Sequence, residues 1–146
     1  MDGCSYCCSS KPIQILMAED NAADVFLVRA ALDARGFDYE LHHAEDGEKV
    51  LQFIQAAEED ETPPPALLLL DLNLPKRRGD DVLRRVRQSR RCADMPVIVL
   101  TSSDSPKDRE RAATLGATQY LRKPSDYDAF MSLGQAIEEL LRQQAS

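Results

Sequence analysis

The stretch Leu67-Leu68-Leu69-Leu70-Asp71-Leu72-Asn73-Leu74-Pro75, LLLLDLNLP, sets a run of leucine against a carboxylate at its end. Continuous rather than alternating hydrophobicity fits a strand covered on both faces, as in a parallel sheet between helices. An uncompensated buried charge is costly, so Asp71 belongs at an exposed edge or beside a partner. The flanks agree with a strand. Residues 58–65, EEDETPPP, make an acidic loop stiffened by three prolines. Beyond the run, Gly79 and Asp80 open a helix carrying Val82, Leu83 and Val86.

The rest of the chain repeats that alternation. Residues 13–18 form a short apolar run that stops at Glu19-Asp20-Asn21, a polar cluster suited to capping a helix. Residues 24–32 then place Val25, Val28 and Leu32 on one helical face, and Gly36 ends that helix. Residues 39–43 read as a second, weaker strand, and after Asp46-Gly47 the residues Val50, Leu51 and Ile54 recur at helical spacing. Residues 96–100 are a fourth buried strand, running into Thr101-Ser102-Ser103. Ser105-Pro106 starts a helix with Pro at its first position, and Gly116 stops it. Residues 118–121 make a short fifth strand. Ser125-Asp126-Tyr127-Asp128 resembles a capping box, before a last helix with Phe130, Leu133, Ile137, Leu140 and Leu141 on its apolar face. Five strands alternating with five helices predict a doubly wound α/β fold around a parallel sheet. The expected domain spans 13–142, with a disordered cysteine-rich leader over 1–12 and a tail over 143–146.

The 146 residues suffice for one domain with a good core. A hydrophobic share of 43% and a charged share of 29% are ordinary for a soluble protein. The net charge of −7 argues against nucleic acid as the main partner. No apolar stretch approaches a membrane span, and the N-terminus lacks the basic flank and apolar stretch of a secretory signal, so a cytoplasmic location is expected. Cys4, Cys7 and Cys8 crowd the start, far from Cys92, and are expected to stay reduced rather than to assemble a metal site.

In doubly wound folds, ligands bind outside the carboxyl ends of the strands. Strand one delivers Glu19 and Asp20 there, strand three Asp71, strand four Thr101 and strand five Lys123. Three carboxylates at one edge repel, raising at least one pKa, unless a cation joins them. Oxygen-only ligands with open positions suit Mg²⁺, which keeps waters and takes a phosphate oxygen. A hydroxyl and an ammonium opposite suit the oxygens of a phosphoryl group, and an aspartate can act as nucleophile toward phosphorus. There is no GxxxxGK[ST] and no GxGxxG, so neither a P-loop nor a dinucleotide turn is supported.

On MAEDN (17–21), LLLLDLNLPKRRG (67–79), VIVLTSS (97–103) and YLRKP (120–124), the chain resembles the receiver domain of two-component response regulators over residues 13–141. The resemblance implies a flavodoxin-like sheet of strand order 2-1-3-4-5 and a phosphoryl group accepted on Asp71 from a histidine kinase. It implies Mg²⁺ held by Glu19, Asp20, Asp71 and the backbone carbonyl of Asn73. It further implies that Thr101 bonds the phosphoryl oxygen, that Lys123 pairs with it, that Lys123-Pro124 is a cis peptide and that Tyr120 is an aromatic switch answering Thr101. EDN-x₂-D (19–24), DLNLP-x₃-G and TSSDSPKD (101–108) resemble stand-alone receivers partnered with bacterial phytochromes. The cysteine-rich leader and Ser125-Asp126 depart from the family pattern.

The alternative is a phosphatase of the haloacid dehalogenase type, which also uses an aspartyl phosphate. It wants a second Asp two positions after the nucleophile, where this chain has Asn73. Two surface features remain. Lys76, Arg77, Arg78, Arg84, Arg85, Arg87, Arg90 and Arg91 form a basic cluster, read as a solvated face or a docking patch. Leu141 widens the last helix's stripe, and a homodimer through the last strand and helix is expected on that ground.

Overall fold

The computed structural model describes residues 12–103 and 105–145. The expected reduced state of Cys4, Cys7 and Cys8, and the expected disordered leader up to residue 11, lie outside the described residues. Five strands, β1 (Ile13–Ala18), β2 (Tyr39–Ala44), β3 (Leu67–Leu70), β4 (Val97–Thr101) and β5 (Gln119–Arg122), form one sheet in the order β2-β1-β3-β4-β5. All neighbours are parallel. The helices are α1 (Ala22–Arg35), α2 (Gly47–Glu58), α3 (Gly79–Gln88), α4 (Pro106–Thr114) and α5 (Tyr127–Ala145). The last runs past the expected boundary at 142.

The leucine run does what its composition dictates. All four side chains of β3 are buried. Leu67 and Leu69 enter a core cluster with α1 and α5, whereas Leu68 and Leu70 enter one with α2 and α3. Fully burying a side chain of this size stabilises by about 1.5–3 kcal/mol, so this short strand anchors both layers. Reversal of strand order between β1 and β3 leaves a crevice at their carboxyl ends, where ligands of such folds bind.

Packing between α1 and α5 is closest at Gly134. A Cβ there would stand 2.5 Å from the carbonyl oxygen of Ala31, so only glycine lets the two backbones approach this far. The apolar residues of α5, Phe130, Leu133, Ile137, Leu140 and Leu141, all lie in the core. The stripe is therefore consumed by the sheet and α1 together, so its width no longer argues for the expected homodimer.

Two local expectations are corrected. The cap of α5 is Asp126 rather than a box opened by Ser125: Asp126 Oδ1 accepts from the Ala129 N–H at 2.8 Å. The Lys123–Pro124 peptide is not cis, since no described peptide bond is. The trans form is favoured by about 0.5–1 kcal/mol for X–Pro bonds, and with it the Lys123 side chain already reaches the strand-end carboxylates.

Candidate phosphoacceptor site

The sequence-predicted residues Glu19, Asp20, Asp71 and Lys123 come together at the carboxyl ends of β1, β3 and β5. Asp71 follows β3 directly, and its N–H still bonds the Ala18 carbonyl at 3.1 Å, extending the ladder one residue. Its side chain is buried at the edge of the sheet. Oδ1 accepts from the Asn73 N–H at 3.0 Å, and Oδ2 accepts from Lys123 Nζ at 3.0 Å. The carboxylate that ends the leucine run is thus both at an edge and paired.

Glu19 is more deeply buried than Asp71. Its Oε1 lies 2.8 Å from Lys123 Nζ and its Oε2 accepts from the Asn21 N–H at 3.2 Å. Burial pushes its carboxyl up to about 7; the charge of Asp71 adds to this, while Lys123 and the Asn21 N–H oppose it. The crowding expected of three carboxylates is thus present. Lys123 shifts upward as well: burial alone would lower it, but hydrogen bonds to Glu19, Asp24 and Asp71 outweigh burial.

One carboxylate oxygen from each of Glu19, Asp20 and Asp71 lies within 4.8 Å of the others, with Asp20 exposed and the other two buried. An all-oxygen set with one solvent-facing member fits a hard divalent cation that keeps several waters. The closing side of the site is built by a tight turn. Gly79 donates its N–H to the Leu72 carbonyl at 3.0 Å, and a Cβ on it would stand 2.6 Å from Leu72 Cα and 2.8 Å from the Asp71 carbonyl oxygen. A side chain at residue 79 would push the Asp71 segment off its place.

Thr101 ends β4 and is wholly buried. Its carbonyl accepts from the Lys123 N–H at 2.7 Å, and its Oγ1 accepts from the Ser103 N–H at 3.4 Å. Tyr120 Oη donates to the Ser103 carbonyl at 3.1 Å. Arg109 lays its guanidinium over the Tyr120 ring, 4.6 Å from the centroid. Thr101 and Tyr120 are therefore linked through Ser103, a residue that sequence reading passed over.

Two further site residues went unassigned in the sequence. Asp24 Oδ2 lies 2.9 Å from Lys123 Nζ, and His43 Nε2 lies 2.6 Å from the Glu19 carbonyl oxygen. Asp24 stands about one helical turn after Asp20, which is the signal available. His43 sits beside Met17 in the β1–β2 register.

The basic cluster is largely engaged within the chain. Lys76 pairs with Asp46, Arg77 with Glu48, Arg84 with Asp81, Arg85 with Glu58 and Arg91 with Asp60. Arg90 bonds the Glu58 carbonyl. Arg87 donates to the carbonyls of Gly116, Ala93 and Met95, tying α3 to two loops. The solvated-face reading fits this better than the docking patch.

Five parallel strands in this order, with paired carboxylates before a buried aspartate and a lysine reaching back to it, define a phosphate-handling signalling domain. The chain belongs to the response regulator receiver domain family, whose model matches residues 15–134. It is 37% identical over 131 residues to response regulator Rcp1 of Synechocystis sp., covering 89% of each chain. The Mn(2+)-bound form of Rcp1 superposes with a TM-score of 0.79, covering 87% of this chain and 92% of that one. The phosphorylated cyanobacterial phytochrome response regulator RcpA is similar with a TM-score of 0.84 and 28% identity, covering 93% and 98%. The "Probable methanogenesis regulatory protein FilR2" of Methanothrix harundinacea is 35% identical over 129 residues, covering 88% of this chain and 81% of its own. Receiver domains are signalling domains phosphorylated by histidine kinases, so phosphoacceptor signalling stands and the haloacid dehalogenase alternative is not supported. No described helix is long and apolar enough to cross a membrane.

Proposed function

We propose that Asp71 is the phosphoacceptor, that Mg²⁺ is bound by Glu19, Asp20, Asp71 and the Asn73 carbonyl, and that the phosphorylated chain presents an altered surface to another protein. The observation carrying this reading is the buried Asp71 carboxylate, held by Lys123 on one oxygen and the Asn73 N–H on the other beside two more carboxylates. An oxygen of Asp71 attacks phosphorus. The bond from phosphorus to the donor's imidazole nitrogen, or to the acyl oxygen of a small donor, breaks, and its electron pair leaves with the donor. The Lys123 ammonium and the Thr101 hydroxyl each meet a phosphoryl oxygen. A divalent ion held by Glu19, Asp20 and Asp71 would supply positive charge to neutralise the phosphoryl oxygens. Attack of water on the same phosphorus breaks its bond to the Asp71 oxygen, releases inorganic phosphate and restores the carboxylate, so the chain catalyses only its own phosphorylation and dephosphorylation.

Movement of Thr101 toward the phosphoryl group pulls on Ser103, and through Ser103 on Tyr120. The cognate donor is a sensor histidine kinase of the phytochrome class, by likeness to the cyanobacterial phytochrome response regulator RcpA, and the chain acts in the cytoplasm. Incubation with acetyl phosphate and Mg²⁺, followed by intact mass measurement, should show one phosphoryl group, and Asp71→Asn should show none. Label persisting undiminished in Asp71→Asn would sink the assignment. Faster transfer from a phytochrome kinase than from an unrelated histidine kinase is the result expected for the donor; equal rates would remove that part.

A further inference from the structure

An ammonium carries three N–H donors, and Lys123 commits all three to carboxylates: Glu19 at 2.8 Å, Asp24 at 2.9 Å and Asp71 at 3.0 Å. Two of these partners belong to the trio that fits a divalent cation, and Asp24 does not. A cation entering the trio draws on the lone pairs of Glu19 and Asp71 and competes there with the ammonium. Asp24 is left to it.

The placement of Asp24 is not explained by helix capping. It is the third residue of α1, where an acid commonly reaches back to free N–H groups at the helix start. Those groups are served otherwise: Asn21 Oδ1 accepts from the Ala23 and Asp24 N–H groups, and Glu19 Oε2 accepts from the Asn21 N–H. The Asp24 carboxylate, 18% exposed, turns instead to Lys123.

We propose that Asp24 is a positioning residue for phosphoryl acceptance: it draws the Lys123 ammonium off Glu19 and Asp71 as the divalent ion enters, and holds it beside Asp71 for the incoming phosphoryl group. This rests on Asp71 being the phosphoacceptor. Without Asp24 the ammonium settles harder on the two metal-binding carboxylates, so the ion binds less well. Once the ion has bound, nothing keeps the ammonium aimed at the phosphoryl oxygens.

The test is a thermodynamic cycle on the full chain, with Mg²⁺ titrated by calorimetry into wild type, Asp24→Asn, Lys123→Met and the double variant. Asp24→Asn should weaken Mg²⁺ about 10-fold when Lys123 is present, but only about 3-fold in the Lys123→Met background, where the direct field of the lost charge alone remains. Equal losses in both backgrounds would overturn the proposal. At saturating Mg²⁺ and acetyl phosphate, Asp24→Asn should label on the order of 10-fold more slowly, the size of effect typical of groups that support metal ligands. Asp24→Glu, which restores the charge, should recover most of that rate. A wild-type rate in Asp24→Asn, with only a lowered melting temperature, would reduce Asp24 to a helix-start residue and overturn the proposal. If wild type itself takes up no label, the phosphoacceptor reading fails, whatever Asp24 does to Mg²⁺.

Discussion

Helices α4 and α5 flank the same edge of the site, yet they are held to the sheet by opposite means. α5 buries five large apolar side chains against β1, β3 and β4. α4 buries only Ala112. The rest of its attachment is polar: Ser103 Oγ donates to Asp108 at 2.5 Å, Arg111 reaches Asp80 of α3 at 3.1 Å, and Arg109 lies over the Tyr120 ring of β5. Each apolar anchor of α5 stabilises by about 1.5–3 kcal/mol. An exposed ion pair contributes about 0–1 kcal/mol. Glu19 and Asp71 directly follow β1 and β3, the strands whose residues share a core cluster with α5, so these carboxylates sit on the firmly packed half. Thr101, Ser103 and Tyr120 lead into the half that costs least to displace, so the proposed signal through them would need little energy to move α4.

Deleting buried side-chain carbon from each helix should give the largest effect and the clearest contrast between them. Ile137→Ala should destabilise the chain by about 2–5 kcal/mol, the range for deleting a buried aliphatic side chain. Ala112→Gly should cost about 1 kcal/mol, mostly from helix propensity. Urea midpoints measure both, and similar losses would mean that α4 is packed as firmly as α5.

How much of this was legible in the sequence divides along the same line. The leucine run, the strand ends and the residues Glu19, Asp20, Asp71, Thr101 and Lys123 announced themselves, because buried parallel strands and strand-end carboxylates are local patterns. The pairing of Asp24 with Lys123 was not legible, since it joins residues almost a hundred apart whose meeting depends on β5 lying at the far end of the sheet. The last helix misled in the other direction. A stripe containing Leu141 looks too wide for one sheet until α1 is seen to pack beside it, with Gly134 drawing the two together. The basic cluster likewise read as an open patch because its acidic partners come from other segments, such as Glu58 of α2 for Arg85 and Asp60 for Arg91.

On the firmly packed half, Glu19 makes stability depend on pH. Burial lifts the Glu19 carboxyl from its ordinary 4.5 to about 7. Between those values the folded chain retains a proton that the unfolded chain has released, so the native state binds more protons and its stability falls as pH rises. This contribution is present at the acid end and is lost by about pH 7. Glu19→Gln, neutral throughout, lacks that fall, so its stability relative to wild type should grow across the window by about 2–3 kcal/mol. Saturating Mg²⁺ should reduce the difference, because the ion favours the ionised carboxylate. A wild type and variant that track in parallel from pH 4.5 to 7 would show that Glu19 is not held protonated by its burial.

The smallest expected effect probes the loosely held half. Arg109 covers the Tyr120 ring and lies at the surface, where a cation–π contact stabilises by about 0.5–1 kcal/mol. Arg109→Ala should therefore lower overall stability by no more than that. Its consequence should be local: with the guanidinium gone, the ring is held by its hydroxyl on the Ser103 carbonyl and by its packing near Val99 and Ala112. Hydrogen exchange should quicken in residues 101–114 and stay unchanged in α5. Quickening spread evenly through both helices would mean that α4 and α5 move as one body, and the division drawn between them would fall.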